Sequence, residues 1–194
     1  MAEQLKPAVF LDRDGTINID AGYINDPDSF VMYPYAPQAV RMLNKSGFLA
    51  VIVTNQSGLA RDFFTKEVMD EIHGKMNDIF TSQGAHIDGL YYCPHDPNAK
   101  ISEYKAQCSC RKPNTGLIEQ AVRELKIDTS NMYFIGDKYS DITAGYKSGC
   151  KTVMVKTGYG KGSLLHDTHK WGVMPDAQCE TLLDAVRMIL SNQI

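Results

Sequence analysis

The sequence predicts an α/β protein with a mostly parallel sheet covered by helices on both faces. Apolar runs alternate with amphipathic helical patterns, several of the runs end in carboxylates, and the length suits one core. The chain has 194 residues, 43% hydrophobic and 22% charged. As one domain spanning 1–194 it can bury roughly 70% of its unfolded surface. Its 20 Lys+Arg against 23 Asp+Glu leave a formal charge of −3, so no global positive field points to nucleic acid or an anionic membrane. Residues 1–6 are polar, unlike a signal peptide, and no later stretch approaches the ~18 apolar residues of a membrane span. A cytoplasmic protein is expected.

The first strand is read at 8–11, followed by an irregular stretch at 13–37 that carries Gly22, Pro27, Pro34 and Pro37. Gly47 is a helix stop before a second strand at 48–53, and Thr65 is an N-cap for a helix whose core face is Val68, Ile72, Met76, Ile79 and Phe80. A short strand at 90–92 leads into a long connection at 94–110. Asn114 or Thr115 then caps a helix with Leu117, Ile118, Ala121, Val122 and Leu125 inward. Strands at 132–135 and 152–155 flank the stop at Gly149, and Leu182, Leu183, Val186, Ile189 and Leu190 make a final amphipathic helix. Trp171, near Gly172, is placed against the sheet edge.

Ligands of an open parallel sheet bind at the carboxyl ends of its strands, so the residues there carry the chemistry. The first strand runs into Asp12-Arg13-Asp14-Gly15-Thr16, and a persisting strand would project Asp12 and Asp14 to one side. The third long strand ends in Gly136-Asp137-Lys138, followed by Asp141. Asp-x-Asp-Gly alone reads equally as a turn, but three convergent acids make a site, and a hard divalent ion such as Mg²⁺ would compensate them and draw in phosphate. The second strand ends in Thr54-Asn55-Gln56-Ser57-Gly58, whose hydroxyls, amides and backbone N–H groups suit phosphoryl oxygens. Arg111 and Lys112 precede a helix, where an anion is favoured, although a solvated basic pair is the plainer reading.

The five cysteines are an odd number for a disulfide framework. Cys93-Pro94-His95 and Cys108-Ser109-Cys110 offer three thiolates and an imidazole, a Cys₃His set for Zn²⁺, the alternative being free buried cysteines. With four ligands the metal would be structural, pinning a loop at about 93–110. Cys150 and Cys179 read as small buried residues, and His73, His86, His166 and His169 as structural or exposed.

Asp12-x-Asp14-Gly15-Thr16, Thr54, Lys112 and Gly136-Asp137…Asp141, in that order, resemble the four motifs of the haloacid dehalogenase (HAD) superfamily of phosphotransferases, over nearly the whole chain. Residues 10–18, 55–61, 91–95 and 108–113 further resemble the heptose 1,7-bisphosphate 7-phosphatases of its histidinol-phosphatase-like group. The resemblance implies a Rossmannoid sheet with no large cap domain and a zinc-bound loop. It implies Asp12 as nucleophile, Asp14 as acid and base, Thr54 and Lys112 on the phosphoryl group, and Mg²⁺ among Asp12, the Asp14 carbonyl and Asp137. Lys138 and Asp141 would stand behind these groups, Asp141 through water. Asn55, Gln56, Ser57, Arg61 and Arg111 would bind substrate, with Arg111 receiving the second phosphate.

The activity implied is Mg²⁺-dependent hydrolysis of a sugar bisphosphate at its 7-phosphate, in the supply of ADP-heptose for lipopolysaccharide core, by a monomer whose partner is a small sugar phosphate. Two other readings share parts of this evidence. A histidinol-phosphate phosphatase would have the same catalytic and zinc residues, while a zinc-stabilised binding module without catalysis predicts erosion of Asp12, Asp14, Thr54, Lys112 or Asp137, and all five are present.

Overall fold

The computed structural model describes residues 5–194, so the first four residues of the polar leader stretch lie outside it. The strands are β1 (Lys6–Leu11), β2 (Leu49–Asn55), β3 (Gly89–Cys93), β4 (Ile127–Gly136), β5 (Lys151–Val155) and β6 (Ala177–Cys179). The helices are α1 (Ala36–Lys45), α2 (Lys66–Ser82), α3 (Gly116–Leu125), α4 (Tyr139–Lys147), α5 (Gly160–His166) and α6 (Leu182–Leu190). The strands form one six-stranded sheet in the order β3-β2-β1-β4-β5-β6, and every neighbouring pair is parallel. Both faces are covered, as expected of a parallel sheet.

Alternation along the strands divides the core in two. Val9, Leu11, Ala50, Ile52, Ile135, Val153 and Val155 face one cluster, closed by Val40 and Leu43 of α1, Ile72, Met76 and Phe80 of α2, and Val186 and Ile189 of α6. Ala8, Phe10, Val51, Val53, Met132 and Phe134 face the other, closed by Leu117, Ile118 and Ala121 of α3 and Ala144 of α4.

Local signals place the helix ends. The Thr65 hydroxyl accepts from the Val68 N–H at 3.4 Å, as its N-cap reading requires. Pro37 sits in the first turn of α1, where its missing N–H costs nothing. Gly47 and Gly149 take φ of +81° and +77°, the left-handed turn that follows α1 and α4. Thr181 and Asp184 form a reciprocal capping box at α6 that the sequence reading passed over. Also beyond that reading are β6 and α5, three and seven residues long and too short to show a period. Trp171 stacks on Tyr139 of α4, ring centroids 4.8 Å apart.

Helix α4 approaches the sheet closely at Gly145. A Cβ there would lie 2.7 Å from the Phe134 Cβ and 2.8 Å from the Thr152 methyl. Alanine gains about 1 kcal/mol in helix propensity, but overpacking typically costs about 1–3 kcal/mol. Gly145→Ala is therefore expected to lower stability by about 1 kcal/mol in urea denaturation; an unchanged or raised midpoint would contradict this packing.

Candidate active site

Strand order reverses direction between β1 and β4, and the crevice at such a switch point is where ligands bind in open sheets. Asp12 follows β1, Thr54 and Asn55 close β2, and Asp137 follows β4. Asp12, Asp14, Thr54, Lys112, Lys138 and Asp141 converge on a slot of about 30 Å³. Beside it lies a cavity of about 390 Å³, lined among others by Asp14, Asp20, Tyr23, Asn55, Gln56, Ser57, Arg111, Lys112, Lys138 and Tyr159.

Lys112 is the pivot. Its ammonium, buried to 4% exposure, lies 2.8 Å from Asp12 Oδ1 and 2.7 Å from Asp141 Oδ1, donates to the Val53 carbonyl at 2.7 Å, and stands over the Phe134 ring. Burial works against its charge, but Asp12 and Asp141 outweigh it and hold Lys112 above the ordinary lysine range. Asn55 fixes the backbone that delivers it: the amide donates to the Lys112 carbonyl at 3.1 Å and accepts from its N–H at 3.0 Å. Asp141 thus meets Lys112 directly, and its other oxygen caps α4 by accepting from the Lys138 N–H at 3.0 Å.

The strand does not persist through the acid pair. β1 ends at Leu11, the Asp12 N–H still bonds the Ile135 carbonyl, and the chain then turns so that Arg13 is buried beside Asp14. Arg13 donates through Nη2 to both Asp14 oxygens at 2.8 Å and through Nε to one of them at 3.1 Å. Asn18 and Gln56 each add a donor at 2.9 Å. Burial raises the Asp14 carboxyl, but these partners, Arg13 foremost, bring it below its ordinary value. The remaining Arg13 nitrogen, Nη1, lies 3.1 Å from His73 Nε2. Sequence reading missed Arg13; its place between two acids at a strand end hints at an ion pair, but the burial that gives it its role comes only with the fold.

Two observations bear on a metal. Asp12, Asp137 and Asp141, all buried, place ligand oxygens within 4.8 Å of one another. Asp137 Oδ2 accepts from the Tyr159 N–H at 2.8 Å, while its Oδ1 is buried without a partner. Charge points the same way. Asp12, Asp14, Asp20, Asp137 and Asp141 face Arg13, Lys112 and Lys138, a deficit of two that a divalent cation matches. With that charge uncompensated, burial and the nearby Asp12 and Asp141 push Asp137 well above the usual carboxylate range despite Lys138. The donor set fits Mg²⁺.

The cysteine loop also closes on itself. Cys93 Sγ lies 3.5 Å from Cys108 Sγ and 3.1 Å from Cys110 Sγ, Cys108 and Cys110 are 3.0 Å apart, and His95 Nδ1 is 3.2 Å from Cys110. These spacings sit just inside a tetrahedral thiolate set built on Zn–S bonds of about 2.3 Å. The four residues could hold zinc.

Of the expected substrate residues, Asn55, Gln56, Ser57 and Arg111 line the larger cavity. Arg61 does not. Its guanidinium is taken by Asp96 at 2.9 Å, an acid within the cysteine loop. Arg111 donates to the His95 carbonyl at 3.1 Å and, among the described residues, has no carboxylate partner at salt-bridge distance. Lys138 is paired with Asp20 at 2.9 Å.

A family model described as HAD-hyrolase-like matches residues 109–185. The D-glycero-beta-D-manno-heptose-1,7-bisphosphate 7-phosphatase of Haemophilus ducreyi is 43% identical over 155 residues, 79% of this chain and 85% of that protein. The enzyme of the same name from Escherichia coli strain K12 is 42% identical over 78% of this chain and 80% of its own length. Among solved structures, the D,D-heptose 1,7-bisphosphate phosphatase from B. bronchiseptica, complexed with magnesium and phosphate, superposes with a TM-score of 0.84 at 31% identity, covering 96% of this chain and 99% of that one.

His73 gives the site a pH signature. Burial first, and the Arg13 charge second, push its imidazole down to about 4. The unfolded chain, with an ordinary imidazole near 6.5, takes up the proton first as pH falls, so stability complete above about 6.5 is lost toward about 4, by up to about 3 kcal/mol. Urea denaturation from pH 7.5 to 4.5 should show wild type losing more on acidification than His73→Gln; parallel losses would mean His73 titrates normally.

Proposed function

Because this chain belongs to the family of D-glycero-beta-D-manno-heptose-1,7-bisphosphate 7-phosphatases, within the HAD superfamily, we propose that it hydrolyses the 7-phosphate of a D-glycero-D-manno-heptose 1,7-bisphosphate through an aspartyl phosphate on Asp12. One observation carries the chemistry: a lysine ammonium braced between Asp12 and Asp141, beside a buried carboxylate oxygen of Asp137 that lacks a partner.

Asp12 attacks phosphorus. A carboxylate oxygen forms the new P–O bond as the bond to the sugar oxygen breaks, and Asp14, which is ionised in the free site and must take up a proton with the phosphate monoester, delivers that proton to the sugar oxygen. Asp14, now ionised and held by Arg13, Asn18 and Gln56, takes a proton from water, whose oxygen attacks the aspartyl phosphate and frees inorganic phosphate and Asp12. Thr54 and Lys112, both almost fully buried, receive the equatorial oxygens, and Lys112 offsets the repulsion between anionic nucleophile and anionic phosphoryl group. Mg²⁺, held by Asp12, Asp137 and the Asp14 carbonyl, would supply the remaining positive charge.

Recognition falls to the wider cavity. Arg111, free of a carboxylate, receives the phosphate that stays on the sugar, while the turn at Asn55–Ser57 meets the reacting end. Arg61 acts at one remove, tying the cysteine loop to the turn through Asp96. Zinc on Cys93, His95, Cys108 and Cys110 is structural, since four protein ligands leave no open position.

Phosphate release from a heptose 1,7-bisphosphate and from histidinol phosphate, both with Mg²⁺, tests the substrate. Preference for the bisphosphate is expected, and preference for histidinol phosphate would overturn it. Asp12→Asn should abolish turnover while the protein stays folded, and a rate near wild type would sink the aspartyl-phosphate route. Elemental analysis should find one zinc per chain, and Cys110→Ala should lower both thermal stability and activity by loosening the segment that carries Lys112. Metal-free protein with unaltered stability would return the cysteines to simple buried thiols.

A further inference from the structure

We propose that His73 is a positioning residue for Asp14: by accepting the Arg13 Nη1 hydrogen bond on Nε2, it sets the guanidinium plane that aims the Asp14 carboxylate. The proposal rests on the role given above to Asp14 in proton transfer. Arg13 is 2% exposed, and its Nε and Nη2 edge is spent on Asp14. That edge alone leaves the opposite end of a buried planar cation without a partner. His73 supplies one at 3.1 Å, so the guanidinium is gripped from both ends and cannot rotate without breaking a bond.

The imidazole is suited to the task. It projects from the inner face of α2 among Met69, Ile72 and Met76, buried like them, with the Tyr92 ring 6.1 Å away. Arg13 offers only donors, so Nε2 must carry the lone pair and Nδ1 the proton. A protonated ring would instead turn a second cation toward the guanidinium. The charged neighbours are Arg13 and Asp14 from the active-site turn and Lys66 and Asp70 from α2 itself; the last two are exposed and pair with each other. Burial and Arg13 keep the ring neutral. Neither cavity at the site is lined by His73, so it acts only through Arg13.

The test compares wild type with His73→Phe, which keeps ring volume but has no acceptor, and His73→Gln, whose carbonyl oxygen replaces Nε2. Each is assayed with Mg²⁺ on the heptose bisphosphate and on 4-nitrophenyl phosphate, in steady state and single turnover. His73→Phe should lower kcat on the sugar phosphate about tenfold with KM within twofold. Its first step on 4-nitrophenyl phosphate should fall less, because nitrophenolate leaves without a proton. His73→Gln should recover most of kcat. Wild-type kcat in His73→Phe would show that only packing matters, and equal losses on both substrates, or a tenfold loss in His73→Gln, would likewise overturn the proposal. Should His73→Phe fail to fold, the His73→Gln result alone decides. Should wild type reject the heptose bisphosphate, the substrate reading fails, and the same comparison is run on any alkyl phosphate it hydrolyses.

Discussion

Everything in this site is arranged around one buried ammonium. Lys112 reaches the floor of the crevice from a segment a hundred residues beyond Asp12, and it meets two carboxylates and a carbonyl there. Removing a charge of this kind from water costs several kcal/mol even after relaxation, and only close, well-satisfied partners offset that cost. The partners are held by separate elements: Asp12 by β1, Asp141 by α4, the Val53 carbonyl by β2. The ion pairs thus brace three strand and helix ends together, and the sheet supplies the rigidity that keeps like-charged carboxylates from moving apart. Electrostatic preorganisation for an anionic reaction is the same arrangement seen from the substrate's side.

The delivery of Lys112 explains the long connection that breaks the strand and helix alternation. The segment between β3 and α3 is tied at one end by the Cys/His cluster and along its length to the turn after β2. The Lys100 and Ile101 N–H groups both donate to the Ala60 carbonyl, Asp96 takes Arg61, and Lys100 pairs with Asp62. Gln56 joins in from the other side, its N–H on the Cys93 carbonyl and its amide bridging Thr54 and Asp14. A loop of that length left free would cost closure and ordering entropy. Here its contacts are made with the turn after β2, which also lines the cavity through Asn55, Gln56 and Ser57, so ordering the loop and shaping that turn are one event.

What the sequence made legible follows from the range of the interactions involved. Strand runs, helix faces and caps are local, and the strand-end acids declare themselves because a carboxylate beside an apolar strand has few structural uses. The HAD-like arrangement of Asp12, Thr54, Lys112 and Asp137 was therefore readable before the fold. Arg13, Asn18 and His73 were not, because what gives each its role is a partner reached only when the chain turns at the end of β1 and α2 packs over it. Arg61 shows the converse. Its charge suggested a phosphate ligand, yet Asp96, thirty-five positions away, claims it. A cation's function is set by which anion reaches it first, and spacing along the chain does not reveal that.

Depth separates the two tasks of the site. The proposed reacting groups Asp12, Thr54 and Lys112 are exposed by only 4%, 1% and 4%, in a slot of about 30 Å³ that admits little beyond a phosphoryl group. The surrounding cavity of about 390 Å³ is open and mixed in character, and no large cap closes over it among the described residues. A capped enzyme can exclude water by closing on its substrate, whereas this one must exclude it by burying the chemistry beforehand. The slot alone would then accept almost any phosphate monoester, so discrimination must come from the wider cavity. There the charges are unequal: Lys138 is paired with Asp20, while Arg111 donates to a carbonyl and, among the described residues, feels the Asp96 charge without closing a salt bridge to it. Under the proposed function, an anion carried by the rest of the substrate would be drawn toward the Arg111 side, and that asymmetry would orient a bisphosphate with one end in the slot.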